Sequence, residues 1–255
     1  MLVCALAVVA AVATVALAAF VFRKLDHGTD DRDPQGASAG HAGSMLSSLF
    51  LLIFAIAIVV PWTSADSARQ NTYVETQAAV ETYWAAAALP APDAAQIQEG
   101  LRDYVAFVVA KEWPMMASGE LSPEGSARLE SLRTRVTALP VTSDDARDAR
   151  ADVLSRMGDM FAARRQRAAD AHTTPPPGVL ILTVVAGLMI VVFPFMAGAR
   201  PRGITLIPMS AMAALLAVGV YLAWDISRPF TGGLAVRPDA FTAALEEFQR
   251  IPGGR

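Results

Sequence analysis

The chain has 255 residues, 54% of them hydrophobic, and a mean hydropathy of +0.39. An ordinary soluble domain is less apolar, so the excess apolar residues are expected to lie in lipid. The formal net charge of −3 argues against a polybasic surface for nucleic acid, and the single cysteine, Cys4, excludes an internal disulfide.

Four apolar segments predict transmembrane helices, each of which needs about 20 residues to cross a bilayer core. The segments are residues 1–22, 46–62, 178–199 and 204–224. The basic pair Arg23-Lys24 follows the first segment instead of preceding it, which favours a retained span over a cleaved signal peptide.

The connections between these spans follow from their composition. Residues 23–43 are polar and rich in Gly and Asp, which predicts an exposed loop. Pro194 is expected to break the third span. The connection at residues 200–203 is so short that the third and fourth spans are predicted to be antiparallel neighbours.

Residues 65–174 are predicted to form a helical domain outside the membrane. The second span is expected to continue past Pro61 as one long helix to near Pro90, bent near Pro61. Ser122 and Ser143 are predicted N-caps of two further helices. Three apolar stripes at helical spacing indicate helices that pack on one another. They are Ile97, Leu101, Tyr104, Val105 and Val108; Leu129, Leu132, Val136 and Leu139; and Ala146, Ala149, Val153, Met157, Met160 and Phe161.

The chain contains no β-alternating segment. Residues 225–255 are predicted to form a C-terminal interfacial segment, in which Pro238-Asp239 begins a short final helix that includes Phe241 to Arg250. The predicted fold is therefore an all-α integral membrane protein, with a helical extramembrane bundle between spans two and three.

The sequence supports neither an enzyme nor a cofactor or metal site. His27, His41 and His172 lack ligand-spaced partners, and the serines lack the Gly-x-Ser-x-Gly elbow. No Asp, Glu, Lys, Arg or His lies within 2–22, 46–62, 178–199 or 204–224. Coupled pumps place ionisable groups at membrane depth, so a pump is disfavoured, whereas a passive pore with an apolar constriction is compatible with these spans.

Phe50, Phe54 and Ile58 recur on one face of the second span. They are predicted either to contact lipid and neighbouring helices or to line a pore in an assembly of several subunits. Arg164, Arg165 and Arg167 are interpreted as a solvated helix face, with attraction of anions or lipid phosphates as the alternative.

The residues after the last span carry a family resemblance. The stretch 225–241 resembles the C-terminal signature of the bacterial bestrophin-like membrane proteins, a family catalogued as a domain of unknown function. The segments 101–114 and 164–165 are similar to its middle region. The signature residues are Asp225, Arg228, Pro229, Phe230, Gly232, Pro238 and Phe241.

The family is distantly similar to bestrophins, which are pentameric chloride channels with four spans per subunit and a pore lined by the second span. Animal bestrophins bind calcium through an acidic run after the last span. Here Gly232-Gly233 stands in that place, so no calcium gating is expected. The resemblance implies termini inside the cell, whereas the basic residues of the short loops favour termini outside.

Two functions remain open. The first is a passive homo-oligomeric anion channel in the cell membrane, embedded in the lipid bilayer and self-associating, with a pentamer implied by the resemblance. The alternative is a non-conducting structural or accessory subunit that binds other membrane proteins through aromatic side chains such as Tyr83, Trp84 and Trp113, which are expected to be exposed.

Overall fold

The computed structural model describes residues 2–25, 37–140, 142–173, 177–197, 204 and 206–250. Every regular element in these ranges is a helix, as predicted. The predicted connection at 200–203 lies outside the described residues. In chain order, the helices are α1 (Leu2–Leu25), α2 (Ala37–Ala86), α3 (Asp93–Phe107), a π-turn (Val108–Glu112), α4 (Trp113–Met116), α5 (Pro123–Ala138), α6 (Asp144–His172), α7 (Pro177–Met196), α8 (Leu206–Ile226) and α9 (Asp239–Arg250).

The chain divides into two compact units. The span unit comprises residues 1–62 and 175–227, and the helical unit comprises residues 63–174 and 228–255. Four helices of the described chain are long and apolar enough to cross a membrane, in agreement with the four predicted spans. They contain Val3–Val21, Gly40–Ala86, Gly178–Met196 and Leu206–Ile226.

Some predicted helix ends were wrong. Helix α1 runs to Leu25 and α2 begins at Ala37, so both ends of the predicted 23–43 loop are helical. The Ser44 and Ser48 hydroxyls donate to carbonyls three and four residues earlier, which satisfies them inside α2. Pro194 does not break α7, which continues to Met196. A proline so near the end of a helix removes one backbone hydrogen bond and leaves the preceding turns intact.

The prediction that the second span continues as a long helix is confirmed. Helix α2 has 50 residues with Pro61 inside it. This is more than twice the length of about 20 residues that a bilayer core requires. Residues 37–62 of α2 belong to the span unit and residues 63–86 to the helical unit.

In the span unit, large aromatic side chains of one helix pack against glycines of another. A Cβ atom built on Gly187 of α7 would lie 3.5 Å from the Phe50 ring, and one on Gly43 would lie 3.0 Å from the Phe193 ring. Helices in lipid gain their association energy from such close packing, because lipid tails are as apolar as the side chains. A separate apolar cluster joins α1, α7 and α8 through Val15, Ala18, Val191, Phe195 and Ala213.

The core of the helical unit contains the predicted stripes. Ile97, Leu101, Leu129, Val153 and Met157 are all at most 2% exposed. The two predicted N-caps are confirmed, since the Ser122 side chain accepts from the Glu124 N–H and the Ser143 side chain accepts from the Ala146 N–H. Each cap satisfies a backbone donor that the first turn of a helix leaves unpaired.

Helix α9 packs into this core. Phe241 and Phe248 are fully buried there, and the helix begins at Asp239, in agreement with the predicted start at Pro238-Asp239. The sequence predicted residues 225–255 as a separate interfacial segment, whereas residues 228–250 belong to the helical unit. The strongly amphipathic pattern of α9 explains the difference, because an apolar stripe at helical spacing needs a partner.

The prediction of three exposed aromatic side chains was wrong for Tyr83. Its side chain is 1% exposed and its ring stacks on Phe248 with centroids 4.5 Å apart. Trp113 is half-buried, and Trp84 is 53% exposed. Of these three residues, Trp84 alone has the exposure that an anchor for another protein requires.

Candidate functional site

Four charged side chains and one tyrosine lie together in the apolar core of the helical unit. We call Glu75, Tyr104, Glu112, Arg164 and Arg167 the charge cluster. They come from α2, α3, the π-turn and α6, and none is more than 5% exposed. Buried charges are costly unless they are paired and hydrogen-bonded, so the geometry of the cluster determines whether it can exist.

Arg167 is the central member. Its Nε donates to Glu75 Oε2 at 2.6 Å, and its Nη2 donates to Glu75 Oε1 at 3.0 Å and to Glu112 Oε1 at 2.7 Å. Its remaining nitrogen, Nη1, lies 3.0 Å from the Met116 sulfur. One guanidinium therefore ties two carboxylates from two different elements to α6.

Arg164 forms the second half of the cluster. Its Nη1 and Nη2 each donate to a Glu112 oxygen at 2.6 Å, a bidentate pair. Its Nη2 also donates to the Ser122 carbonyl at 3.0 Å, and Tyr104 donates its hydroxyl hydrogen to Glu75 Oε1 at 2.8 Å. Bidentate arginine–carboxylate pairs are among the strongest hydrogen-bonded arrangements in proteins.

The π-turn supplies Glu112. The Trp113 N–H bonds to the Val108 carbonyl five residues earlier, which widens the helix by one residue at this point. Val108, Glu112 and Met116 are consequently all buried. Single π-turns inside helices frequently mark functional sites, so this irregularity singles out the cluster.

Two carboxylates face two guanidiniums, so the cluster is neutral as a whole. Burial alone would raise the pKa of Glu112, but the hydrogen bonds and charges of Arg164 and Arg167 offset burial and hold that pKa below its ordinary value. Burial, together with the Glu75 charge, raises the pKa of Tyr104, which therefore remains a neutral hydrogen-bond donor. Every charge in the cluster has a partner of opposite sign. These ion pairs can hold α2, the π-turn and α6 in one fixed arrangement.

The solvated-face interpretation of the basic triplet was wrong for two of its three members. Arg164 is 5% exposed and Arg167 is fully buried, whereas Arg165 is exposed. The sequence carried a signal for this. Arg164 and Arg167 continue the buried spacing of Val153, Met157 and Met160 on α6, and Arg165 does not.

Gly125 tests how tightly the cluster is packed. A Cβ atom at Gly125 would collide with Glu112 Oε2 and would lie 2.6 Å from Arg164 Nη2. We expect Gly125→Ala to destabilise the protein by about 1–3 kcal/mol, the usual range for overpacking. The matched control is Gly158→Ala on α6, where nothing lies within 4 Å. There the alanine should stabilise by roughly 0.5–1 kcal/mol. Unfolding in detergent measures both, and equal effects at the two glycines would contradict the packing.

The lowered pKa of Glu112 predicts an acid-dependent stability. The pKa of Glu112 in the folded protein lies below the ordinary value of 4.5. The contribution of Glu112 to the free energy of unfolding is therefore complete above pH 4.5 and is lost as the pH falls through the pKa of the folded state. We expect the gap in melting temperature between wild type and Glu112→Gln to be widest at neutral pH and to narrow below pH 4.5. The exposed Glu130→Gln control should match wild type throughout. A Glu112→Gln gap independent of pH would rule the assignment out.

Two signature residues after α8, Phe230 and Phe241, pack against Trp113, and Phe241 also contacts the charge cluster. The Trp113 ring packs edge-on against Phe230, with centroids 5.7 Å apart, and against Phe241 at 5.6 Å. The Arg167 guanidinium lies over the Phe241 ring at 5.2 Å from its centroid. We call Trp113, Phe230 and Phe241 the aromatic clasp. It joins the predicted signature to the cluster within the helical unit.

Backbone geometry shapes the chain between the two phenylalanines. The Val236 N–H donates to the Pro229 carbonyl at 2.7 Å, which closes a compact loop. Gly232 has φ +90°, a conformation that favours glycine. Phe230 and Val236 pack with Ala68 and Met116 in an apolar cluster of the helical unit. The other signature residues are Asp225, which is buried, Arg228, which is exposed, and Pro238, which is partly buried.

The three residues predicted to line a pore lie in the span unit. Phe50 is 4% exposed, and Phe54 stacks on it with ring centroids 5.4 Å apart. A Cβ atom on Gly219 of α8 would collide with the Phe54 ring. Ile58 is partly buried. Phe50 and Phe54 thus take part in packing between helices of one chain, and pore lining by these residues stays a prediction.

Comparison with known protein families adds one finding. Residues 9–241 match the family described as Bestrophin-like domain, a match that extends over most of the chain and ends at Phe241 of the aromatic clasp. The chain belongs to the bestrophin-like family. No curated protein and no solved structure gave a significant match. The bestrophin-like match includes the charge cluster and the clasp as well as the greater part of all four spans.

Proposed function

We propose that this bestrophin-like protein is a multi-pass subunit of a self-associating, passive anion pathway in the cell membrane. The observation that carries the proposal is the composition of the spans, which contain no Asp, Glu, Lys, Arg or His within 2–22, 46–62, 178–199 or 204–224. Ion-coupled transport needs such groups at membrane depth, whereas an apolar constriction can pass weakly hydrated anions. Family membership supports the same conclusion.

The length of α2 supports a role for this helix in the pathway. Its 50 residues belong partly to the span unit and partly to the helical unit. In a closed ring of subunits, five as the resemblance implies, one α2 per chain would supply both a membrane wall and an aqueous extension. Ile58, which is only partly buried within its own chain, would then line the narrowest part.

Chloride efflux from liposomes containing the purified full chain tests the proposal. We expect efflux that scales with the amount of protein, and folded protein that passes no chloride would overturn the pathway. Ile58→Ala should raise the efflux several-fold if Ile58 forms part of the constriction. The matched truncation Ile56→Ala, at a side chain that is 47% exposed, should leave the efflux unchanged. Equal efflux in the two variants would show that Ile58 does not line the constriction, but it would not contradict the anion pathway itself.

A non-conducting accessory subunit is the second candidate. It is favoured by the packing of Phe50 and Phe54 against helices of their own chain, and by Trp84, whose exposed ring is suited to anchoring another protein. Purification from native membranes discriminates between the two functions. A foreign protein at fixed stoichiometry supports this candidate, and self-assembly alone supports the anion pathway.

A further inference from the structure

The span unit contains an apolar groove between α1, α7 and α8. Its volume is about 420 Å³. Val191 and Ala213 are buried at its floor, while Val3, Val184 and Leu188 are roughly half exposed at its lip. Thr14 lines the groove, and its hydroxyl donates to the Ala10 carbonyl at 2.9 Å. The hydroxyl hydrogen therefore needs no partner within the groove.

The two ends of the groove differ. At one end, Thr14, Val191 and Ala213 adjoin the apolar cluster that joins the three helices. At the other end lie Tyr221 and Trp224, whose ring centroids are 6.0 Å apart. Tyrosine and tryptophan concentrate at the water interface of membranes, so the aromatic end is placed at headgroup level and the end at Val191 and Ala213 within the hydrocarbon.

The dimensions of the groove suit a single hydrocarbon chain. From Val3 to Thr14 the wall spans 11 residues of α1, or about 16 Å of helix. This equals roughly one leaflet of a hydrocarbon core about 30 Å thick. A helix of the same length and about 10 Å across would need on the order of 1,200 Å³, far more than the groove provides.

We propose that this groove binds one acyl chain of a membrane phospholipid, which enters beside Tyr221 and Trp224 and ends against Val191 and Ala213. Small side chains create the space, chiefly Ala7, Ala11 and Ala217. An acyl chain in the groove gains van der Waals contacts with walls on several sides, whereas a chain on a flat protein surface has contacts on one side only. The lipid would lie against α1, α7 and α8 as an integral part of the span unit.

The test is native mass spectrometry of the full chain, delipidated in detergent and then supplied with a defined phospholipid. We expect wild type to retain one phospholipid per chain. Ala217→Phe and Ala11→Leu, which fill the groove from α8 and α1, should retain none. Leu215→Phe is the control, because that side chain is 73% exposed on the same helix as Ala217, and it should retain the lipid. Circular dichroism establishes that each variant is helical.

Three results would overturn the proposal. Equal lipid retention by the groove-filling variants and wild type would place the lipid elsewhere. Retention of an added free fatty acid but not of phospholipid would assign the groove to another ligand. Loss of self-association in the groove-filling variants, with no lipid bound by wild type, would assign the groove to a second copy of the chain. None of these outcomes depends on whether the protein conducts chloride.

Discussion

Replacing Arg167 by methionine is expected to lower the melting temperature of the protein in detergent by roughly 10 °C. The change removes the guanidinium that bridges Glu75 and Glu112 and leaves two fully buried carboxylates with fewer partners. Breaking a buried ion pair from one side costs about 3–5 kcal/mol. In a chain of this size, 1 kcal/mol shifts the melting temperature by about 2–4 °C.

Arg165→Met is the matched control for this substitution. Arg165 lies on the same helix, two residues earlier, and is exposed. It should melt as wild type does, because exposed charges contribute little to stability. Scanning calorimetry or circular dichroism in the same detergent measures both variants. Equal shifts at Arg165 and Arg167 would mean that the charge cluster does not stabilise the helical unit.

Truncating Phe241 to alanine is expected to destabilise the protein by about 3–5 kcal/mol, the range for a fully buried phenylalanine. The Phe241 ring has no exposed surface and contacts both Trp113 and Arg167. The loss therefore combines a cavity with the removal of an aromatic contact and a cation–π contact. The same experiment detects it as an earlier transition on heating.

Trp84→Ala provides the comparison for Phe241→Ala. It removes an even larger aromatic side chain, but one that is 53% exposed. We expect a small change in stability, within about 0.5–1 kcal/mol. If Trp84→Ala proved as damaging as Phe241→Ala, the burial of α9 against the clasp would be in question.

The sequence predicted most of the helices because their signals are local. A long apolar run, a Ser-Pro pair at a helix start and a repeat of Leu129, Leu132 and Val136 each depend on residues within a few turns. The long α2 helix was also predictable, because helical spacing persists beyond Pro61. The predictions that were wrong, at both ends of 23–43 and at Pro194, lie at helix ends, because Gly, Asp and Pro near a helix end do not by themselves stop the helix.

The charge cluster could not be predicted with the same reasoning, because its members come from distant parts of the chain. Glu75 and Arg167 are separated by 92 residues, and Glu112 and Arg164 by 52. An arginine within a basic triplet normally indicates a solvated face, and only its position on an apolar stripe indicates otherwise. Charged residues of both signs at core positions of α2, the π-turn and α6 would together have indicated a buried network.

The aromatic clasp illustrates the same limit for the C-terminal signature. The sequence identified Phe230 and Phe241 as signature residues but assigned them to an interfacial segment. Their contact with Trp113 depends on the loop at Gly232 and on the docking of α9, which are properties of the folded helical unit. Membership of the bestrophin-like family was predicted from these residues, and the match over 9–241 confirms it.

Single-particle imaging of the purified full chain in detergent shows whether the protein assembles with itself around an axis. We expect particles with rotational symmetry, built from copies of this chain alone, with one α2 helix per copy beside the axis. Images of single chains, or of a stoichiometric complex with a different protein, would contradict a self-assembled anion pathway.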